Sequence, residues 1–373
     1  MSEDCLYLNI WKPAGDVSKL PVLVYIHGGS LQTGQPWYQD YSGEGLAREG
    51  VVVVNFGYRL GVFGFFHLSH LPDGADYPDA QNLGLLDQVM ALKWVHENIA
   101  GFGGDPDNVT IFGQSAGGGS VSLLPLIEGS HEYFHRVIAE SGSPVFTRST
   151  EESIACTDEV MEQLGCKTVA DLQKVDIETF VKTAGALPGL RVWPERDESI
   201  LPLDPYEAYA DGAARDLDFL QGCTKDEMGY FVYGFGVEGY DAWAADRKTK
   251  KFAQLLTDEE RAKLESFCQE GAVEDYDPDS RLFGHSWFIE GAIKMSESQT
   301  MGGGKSYTYY YRVESSDPIR KSAHFEEVPI VFAHPKQIEG RQYDATFSKT
   351  MRKMWLQFPK TGNPSLSAPD FGN

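Results

Sequence analysis

The chain has 373 residues, room for one large α/β domain, and carries 32 Lys plus Arg against 55 Asp plus Glu, a formal net charge of -23. That excess of acid argues against nucleic acid and anionic membrane as partners, and the hydrophobic content of 42% suits a globular chain with a sizeable core. No stretch has the length of a membrane span: the most apolar one, 51–66, is short and broken by Asn55 and Arg59.

The N-terminus, Met1-Ser2-Glu3-Asp4, is acidic where a signal peptide is basic and then apolar, so if Met1 is the native start the expected compartment is the cytoplasm. Apolar runs at Cys5–Trp11, Pro21–Ile26, Val51–Phe56 and Val109–Phe112 predict strands, two of them continuous enough to be buried on both faces of a parallel sheet. Between the third and fourth, Leu85, Val89, Leu92, Val95 and Ile99 recur at spacings of four and three, which predicts an amphipathic helix. Further strands are expected at Arg136–Ala139, Leu217–Leu220 and Ser306–Val313. Ser149-x-x-Glu152 forms a capping box ahead of a helix, and Phe347, Met351, Met354 and Phe358 mark another that stops before Gly362 and Pro364. Strands alternating with helices give an α/β class with a mostly parallel twisted central sheet. From about 185 to 300 the pattern weakens and aromatics become dense, including Trp193, Phe231, Tyr233, Trp243, Trp287 and Phe288. One domain over 1–373, with a helical, aromatic-rich insertion at about 185–300 lining a pocket, is the expected organisation. Cys5, Cys156, Cys166, Cys223 and Cys268 are odd in number and lack a Cys-x-x-Cys spacing, so no zinc or redox site is expected, and no ligand cluster calls for a metal or organic cofactor.

Chemistry concentrates where the fourth strand ends. Gly113-Gln114-Ser115-Ala116-Gly117 is a Gly-x-Ser-x-Gly pentapeptide between a strand and a helix, the setting of a nucleophile elbow. Glycines leave room for the sharp turn, and the helix behind it offers free N–H groups and a positive dipole end. His27-Gly28-Gly29-Ser30 follows an earlier strand, where a loop can supply N–H groups to an oxyanion hole. A serine nucleophile needs a base, and the base an orienting acid, in the chain order nucleophile, acid, histidine. His324 lies in a loop after a strand, with His334 as the alternative. Asp226 and Glu227 both follow the strand at Leu217–Leu220, and spacing does not separate them.

These residues, with Ser2-Glu-Asp-Cys-Leu-Tyr-Leu-Asn-Ile-Trp11, Tyr25-Ile-His-Gly-Gly29, Gly57-Tyr-Arg-Leu-Gly61 and Phe102-Gly-Gly-Asp-Pro-Asp-Asn108, resemble the type-B carboxylesterases, the family of carboxylesterases, cholinesterases and para-nitrobenzyl esterases. The likeness is dense over 1–145 and resumes at 222–227, 323–332 and 355–364. It implies the α/β-hydrolase fold, a serine esterase activity on a small-molecule ester, and Glu227 as the acid with Ser115 and His324. It implies oxyanion donors at the backbone N–H groups of Gly29, Ser30 and Ala116, a structural pair Glu3–Arg59, and a supporting role for Ser141. It also implies a preceding N-terminal section, with which Cys5 normally pairs, and whose absence would leave a sheet edge open to association, for example as a homodimer. Two departures stand out: Ser30 replaces a third glycine in the oxyanion loop, and Gln114 stands where cholinesterases carry glutamate. Choline ester selectivity is not implied. The same fold serves non-catalytic binding and adhesion proteins, and acyl transfer to an alcohol or amine would use the same triad.

Overall fold

Alternate residues of the central strands enter two different cores. In β2 (Leu20–Ile26), Val22, Val24 and Ile26 pack on one face and Leu23 and Tyr25 on the other. β3 (Val52–Phe56) divides the same way, Val52, Val54 and Phe56 against Val53. Side chains that alternate across the sheet while both faces are covered give the continuous apolar runs seen in the sequence. The computed structural model describes residues 3–187, 192–248, 257–270, 277–334 and 345–367.

With β1 (Leu8–Trp11), β4 (Gly104–Gln114), β5 (Arg136–Glu140), β6 (Asp218–Thr224) and β7 (Lys305–Tyr311), these strands form one seven-stranded sheet in the order β1-β3-β2-β4-β5-β6-β7. β1 runs antiparallel to β3 and every other pairing is parallel. The chain leaves β2 towards β3 on one side and returns to β4 on the other, so the carboxyl ends of β2 and β4 frame the crevice where open α/β sheets bind ligands.

The helix Leu83–Asn98 covers one face through Leu85, Leu92 and Val95, as its spacing predicts. Beside it lies Ala116–Leu123, buried along its whole length. The other face is covered by Val328–Val331 and by the C-terminal helix Ala345–Thr361, whose Trp355 and Phe358 are buried. A third cluster, with Met228, Val232, Tyr240, Phe283 and Phe288, gathers the helices between β6 and β7 beside Cys223 near the carboxyl end of β6. The segment from 185 to 300 thus contributes β6 to the sheet as well as helices. A widened π turn at His285–Ile289 joins Asp277–Gly284 to Glu290–Met301 and sets Phe288 into the cluster. The capping box forms as expected: Glu152 N–H donates to Ser149 Oγ at 3.3 Å, and Ser149 N–H to Glu152 Oε2 at 2.8 Å.

Several expectations change, among them the end of β6, which runs on to Thr224 and not only to Leu220. Arg59 pairs with Asp87, not Glu3: its Nε and Nη2 reach the two carboxylate oxygens at 2.8 and 2.7 Å, while Glu3 is exposed. Asp87 projects from the Leu83–Asn98 helix, and Arg59 N–H also donates to it at 3.0 Å, so backbone and side chain converge on one carboxylate. β4 begins at Gly104, five residues before the predicted start, because Gly104 already pairs with Leu20 across a register shift that no apolar pattern signals. None of the five cysteines forms a disulfide within this chain. Among the described residues no helix is long and apolar enough to cross a membrane.

Candidate active site

Ser115 stands at the turn from β4 into Ala116–Leu123 with φ +61° and ψ −126°, a backbone conformation that side chains rarely adopt. Two hydrogen bonds hold it there: Ser115 N–H donates to Glu140 O at 2.8 Å, and Gly119 N–H donates to Ser115 O at 2.9 Å. The flanking glycines are required by contact. A Cβ on Gly117 would lie 2.0 Å from Ile26 O, and one on Gly113 2.5 Å from the Gly117 carbonyl. The two glycines of the pentapeptide thus pack against each other and against the end of β2.

Across the crevice, Gly29 has φ +114° and Ser30 φ +57°. A Cβ on Gly29 would meet Thr33 O at 2.2 Å, so glycine is obligatory there, whereas Ser30 occupies the left-handed region despite its side chain. Gly29 O accepts from Gln32 and Thr33 N–H at 3.0 Å each, fixing the loop. His27 is buried against Tyr58, and burial pushes its pKa down to about 4, so at neutral pH it is an uncharged brace beneath this loop. Ser30, Leu31, Ser115, Ser141 and Phe325, the residue after His324, all have positive φ. Strain of this kind, on the order of 1–3 kcal/mol per residue, gathers around one crevice.

The two acids after β6 separate cleanly. Glu227 Oε2 lies 2.5 Å from His324 Nδ1, and His324 N–H donates to Glu227 O at 3.1 Å. Glu227 Oε1 accepts from Thr224 N–H at 2.7 Å and Ser141 Oγ–H at 2.6 Å, so the buried carboxylate is bonded at both oxygens. Asp226 instead accepts from Ser322 N–H at 3.3 Å and donates its own N–H to Ser322 O at 3.0 Å, pinning the histidine loop. His334 follows the short helix Val328–Val331, its N–H bonded to Pro329 O at 3.0 Å.

His324 is 3% exposed, and its ring lies 4.7 Å from Phe288, 5.8 Å from Phe231 and 6.1 Å from Tyr230. Its Nε2 faces the Gln114 side-chain amide nitrogen at 3.0 Å. Among the described residues Ser115 Oγ makes no hydrogen bond to His324; the residue before it in the chain holds that nitrogen. Behind this group, Glu140 and Glu327 are buried carboxyls. Trp355 Nε1–H donates to Glu140 Oε1 at 2.9 Å, and burial raises the Glu140 pKa to about 8. Glu327 is raised by burial first and by Glu140 and Glu227 after it.

Sequence order alone does not disclose the contacts made by Gln114, Phe288 and Phe231. The Thr224–Glu227 bond was legible in principle, since Thr-x-x-Glu is the spacing at which a carboxylate accepts an N–H three residues back. A cavity of about 250 Å³ lined by Arg261, Glu265, Leu282 and Phe283 lies among the insertion helices, and Ser115, Glu227 and His324 are not part of its lining.

The Carboxylesterase family profile matches residues 1–371. The chain is 35% identical to the para-nitrobenzyl esterase of Bacillus subtilis (strain 168), over 98% of this chain and 76% of the relative. It is 34% identical to carboxylesterase 1C of Mus musculus, over 98% and 70%. The crystal structure of Geobacillus stearothermophilus carboxylesterase EST55 at pH 6.2 superimposes with a TM-score of 0.85 at 34% identity, covering 98% of this chain and 78% of that one.

Proposed function

This chain belongs to the carboxylesterase family of carboxylic ester hydrolases, with the α/β-hydrolase fold, and from that premise we propose that Ser115, His324 and Glu227 carry out ester hydrolysis through an acyl-enzyme. Ser115 Oγ attacks the ester carbonyl carbon while His324 Nε2 takes its proton. The carbonyl oxygen, now anionic, is held by the N–H groups of Gly29, Ser30 and Ala116, each worth about 10²–10³ in rate. The tetrahedral intermediate collapses, the ester C–O bond breaks, and the departing alkoxide takes the proton from Nε2. Water then attacks the acyl-enzyme by the same route, releasing the acid and restoring Ser115.

The observation that carries this reading is the buried Glu227–His324 contact of 2.5 Å beside the strained Ser115. A carboxylate bonded to Nδ1–H fixes the tautomer whose Nε2 lone pair is free to act as base. Serine and histidine are not bonded to each other at rest, and such contacts commonly tighten only when substrate binds. The rings of Phe288, Phe231 and Tyr230 around His324, with a neutral Gln114, favour an uncharged ester with an apolar group on that side.

Ser115→Ala should lower kcat for a short-chain aryl ester by about 10⁴-fold or more. Full activity in that variant rejects the assignment. Stoichiometric labelling of the wild type by a fluorophosphonate, lost in Ser115→Ala, separates an esterase from a binding protein of the same fold.

A further inference from the structure

We propose that Gln114 is a positioning residue for the general base: its side-chain amide caps His324 Nε2 in the resting enzyme and must yield that nitrogen when the ester arrives. The proposal rests on the triad assigned above. Its basis is the 3.0 Å contact between the Gln114 amide nitrogen and Nε2, with Gln114 only 2% exposed. Glu227 at Nδ1 requires the Nδ1–H tautomer, so Nε2 is a lone-pair acceptor and the amide is its donor. Donors then converge on Glu227 from both sides: Ser141 Oγ–H to Oε1, and Gln114 amide N–H to Nε2 with Nδ1–H to Oε2.

Two consequences follow from chemistry alone. An N–H donor to Nε2 fits the neutral imidazole and not the imidazolium. When Nε2 accepts the Ser115 proton it becomes a donor, and the NH₂ group no longer fits. Rotation of the amide about its last bond presents Oε1 instead, so one side chain serves both protonation states. A glutamate at this position offers only acceptors and a negative charge, favouring the imidazolium from the start.

The test uses the full chain and reads the base rather than the fold. In Gln114→Glu the acidic limb of the kcat/KM profile should move up by about one pH unit or more. An acidic limb coincident with that of the wild type overturns the proposal. Should Gln114→Glu fail to fold, ¹⁵N NMR of imidazole-labelled Ser115→Ala decides, because its residue 115 cannot donate. There Nε2 should retain the shift of a hydrogen-bonded acceptor nitrogen and lose it when Gln114→Met is added. An unbonded Nε2 in Ser115→Ala also overturns the proposal. If Ser115→Ala itself keeps full activity, the triad assignment fails first, and that result is distinct from either of these.

Discussion

At the scale of single residues, the acid is the most informative member of the site because its two oxygens have different partners. Glu227 Oε1 is occupied by two donors, Thr224 N–H and Ser141 Oγ–H, and only Oε2 faces the imidazole. Glu227→Gln keeps the shape but has a single carbonyl oxygen. With that oxygen held by Thr224 and Ser141, the NH₂ group points at Nδ1, which must then give up its proton and leave Nε2 protonated. The base is in the wrong tautomer. We expect kcat to fall by about 10⁴-fold, with little change in thermal midpoint; a variant within tenfold of wild-type kcat contradicts the role given to Glu227. Ser30 makes a related point. Its left-handed backbone is one a glycine adopts freely, and the N–H proposed as an oxyanion donor is a main-chain group whose direction φ rather than side chain sets.

At the scale of elements, the strand-to-helix turn depends on the absence of side chains between β2, β4 and the helix Ala116–Leu123. Gly117→Ala would put a methyl 2.0 Å from Ile26 O, a backbone atom inside the sheet that has nowhere to move. Destabilisation of at least about 2–3 kcal/mol and slowed fluorophosphonate labelling of Ser115 are expected together. A melting temperature and labelling rate equal to wild type contradict this account of the turn. The elements legible in the sequence were those whose burial is expressed in composition. The central strands show as apolar runs because both faces are covered, and Leu83–Asn98 shows as a stripe because one face is. What composition does not encode was misread. β6 runs on through Gln221, Gly222, Cys223 and Thr224, polar or small residues buried beneath the insertion, so its predicted end at Leu220 fell short. Arg59 chose Asp87 over Glu3 because the loop and helix bring backbone and side chain to the same carboxylate, a fact of tertiary geometry. The Gln114 amide and the ring of Phe288 reach His324 from elements distant in the chain, and no spacing foretells that.

At the scale of the whole molecule, the site is tied to the C-terminal helix through a buried acid. Trp355 on Ala345–Thr361 donates to Glu140 at the end of β5, and Glu140 O accepts the Ser115 N–H. This link makes stability depend on pH in a definite direction. Burial raises Glu140 to about 8 in the fold, and Glu327 is raised too, while in the unfolded chain both titrate as ordinary glutamates. Between those values the native state holds protons that the unfolded state has released. Stability from these groups is therefore fully present below the unfolded pKa, declines as pH rises, and is lost once pH passes the folded pKa. The limiting slope is about 1.4 kcal/mol per pH unit for each group. Glu140→Gln retains an oxygen for Trp355 Nε1–H but has nothing to ionise, so it removes one of the two contributions. Comparing pH 6 with pH 8, the variant should lose less stability than the wild type by up to about 3 kcal/mol, read from denaturant midpoints at both values. The remaining slope belongs to Glu327, which burial keeps raised in the variant. Parallel losses in the two proteins would mean that Glu140 is ionised in the fold at neutral pH, and would remove the acid from beneath the Ser115 turn as a source of pH sensitivity.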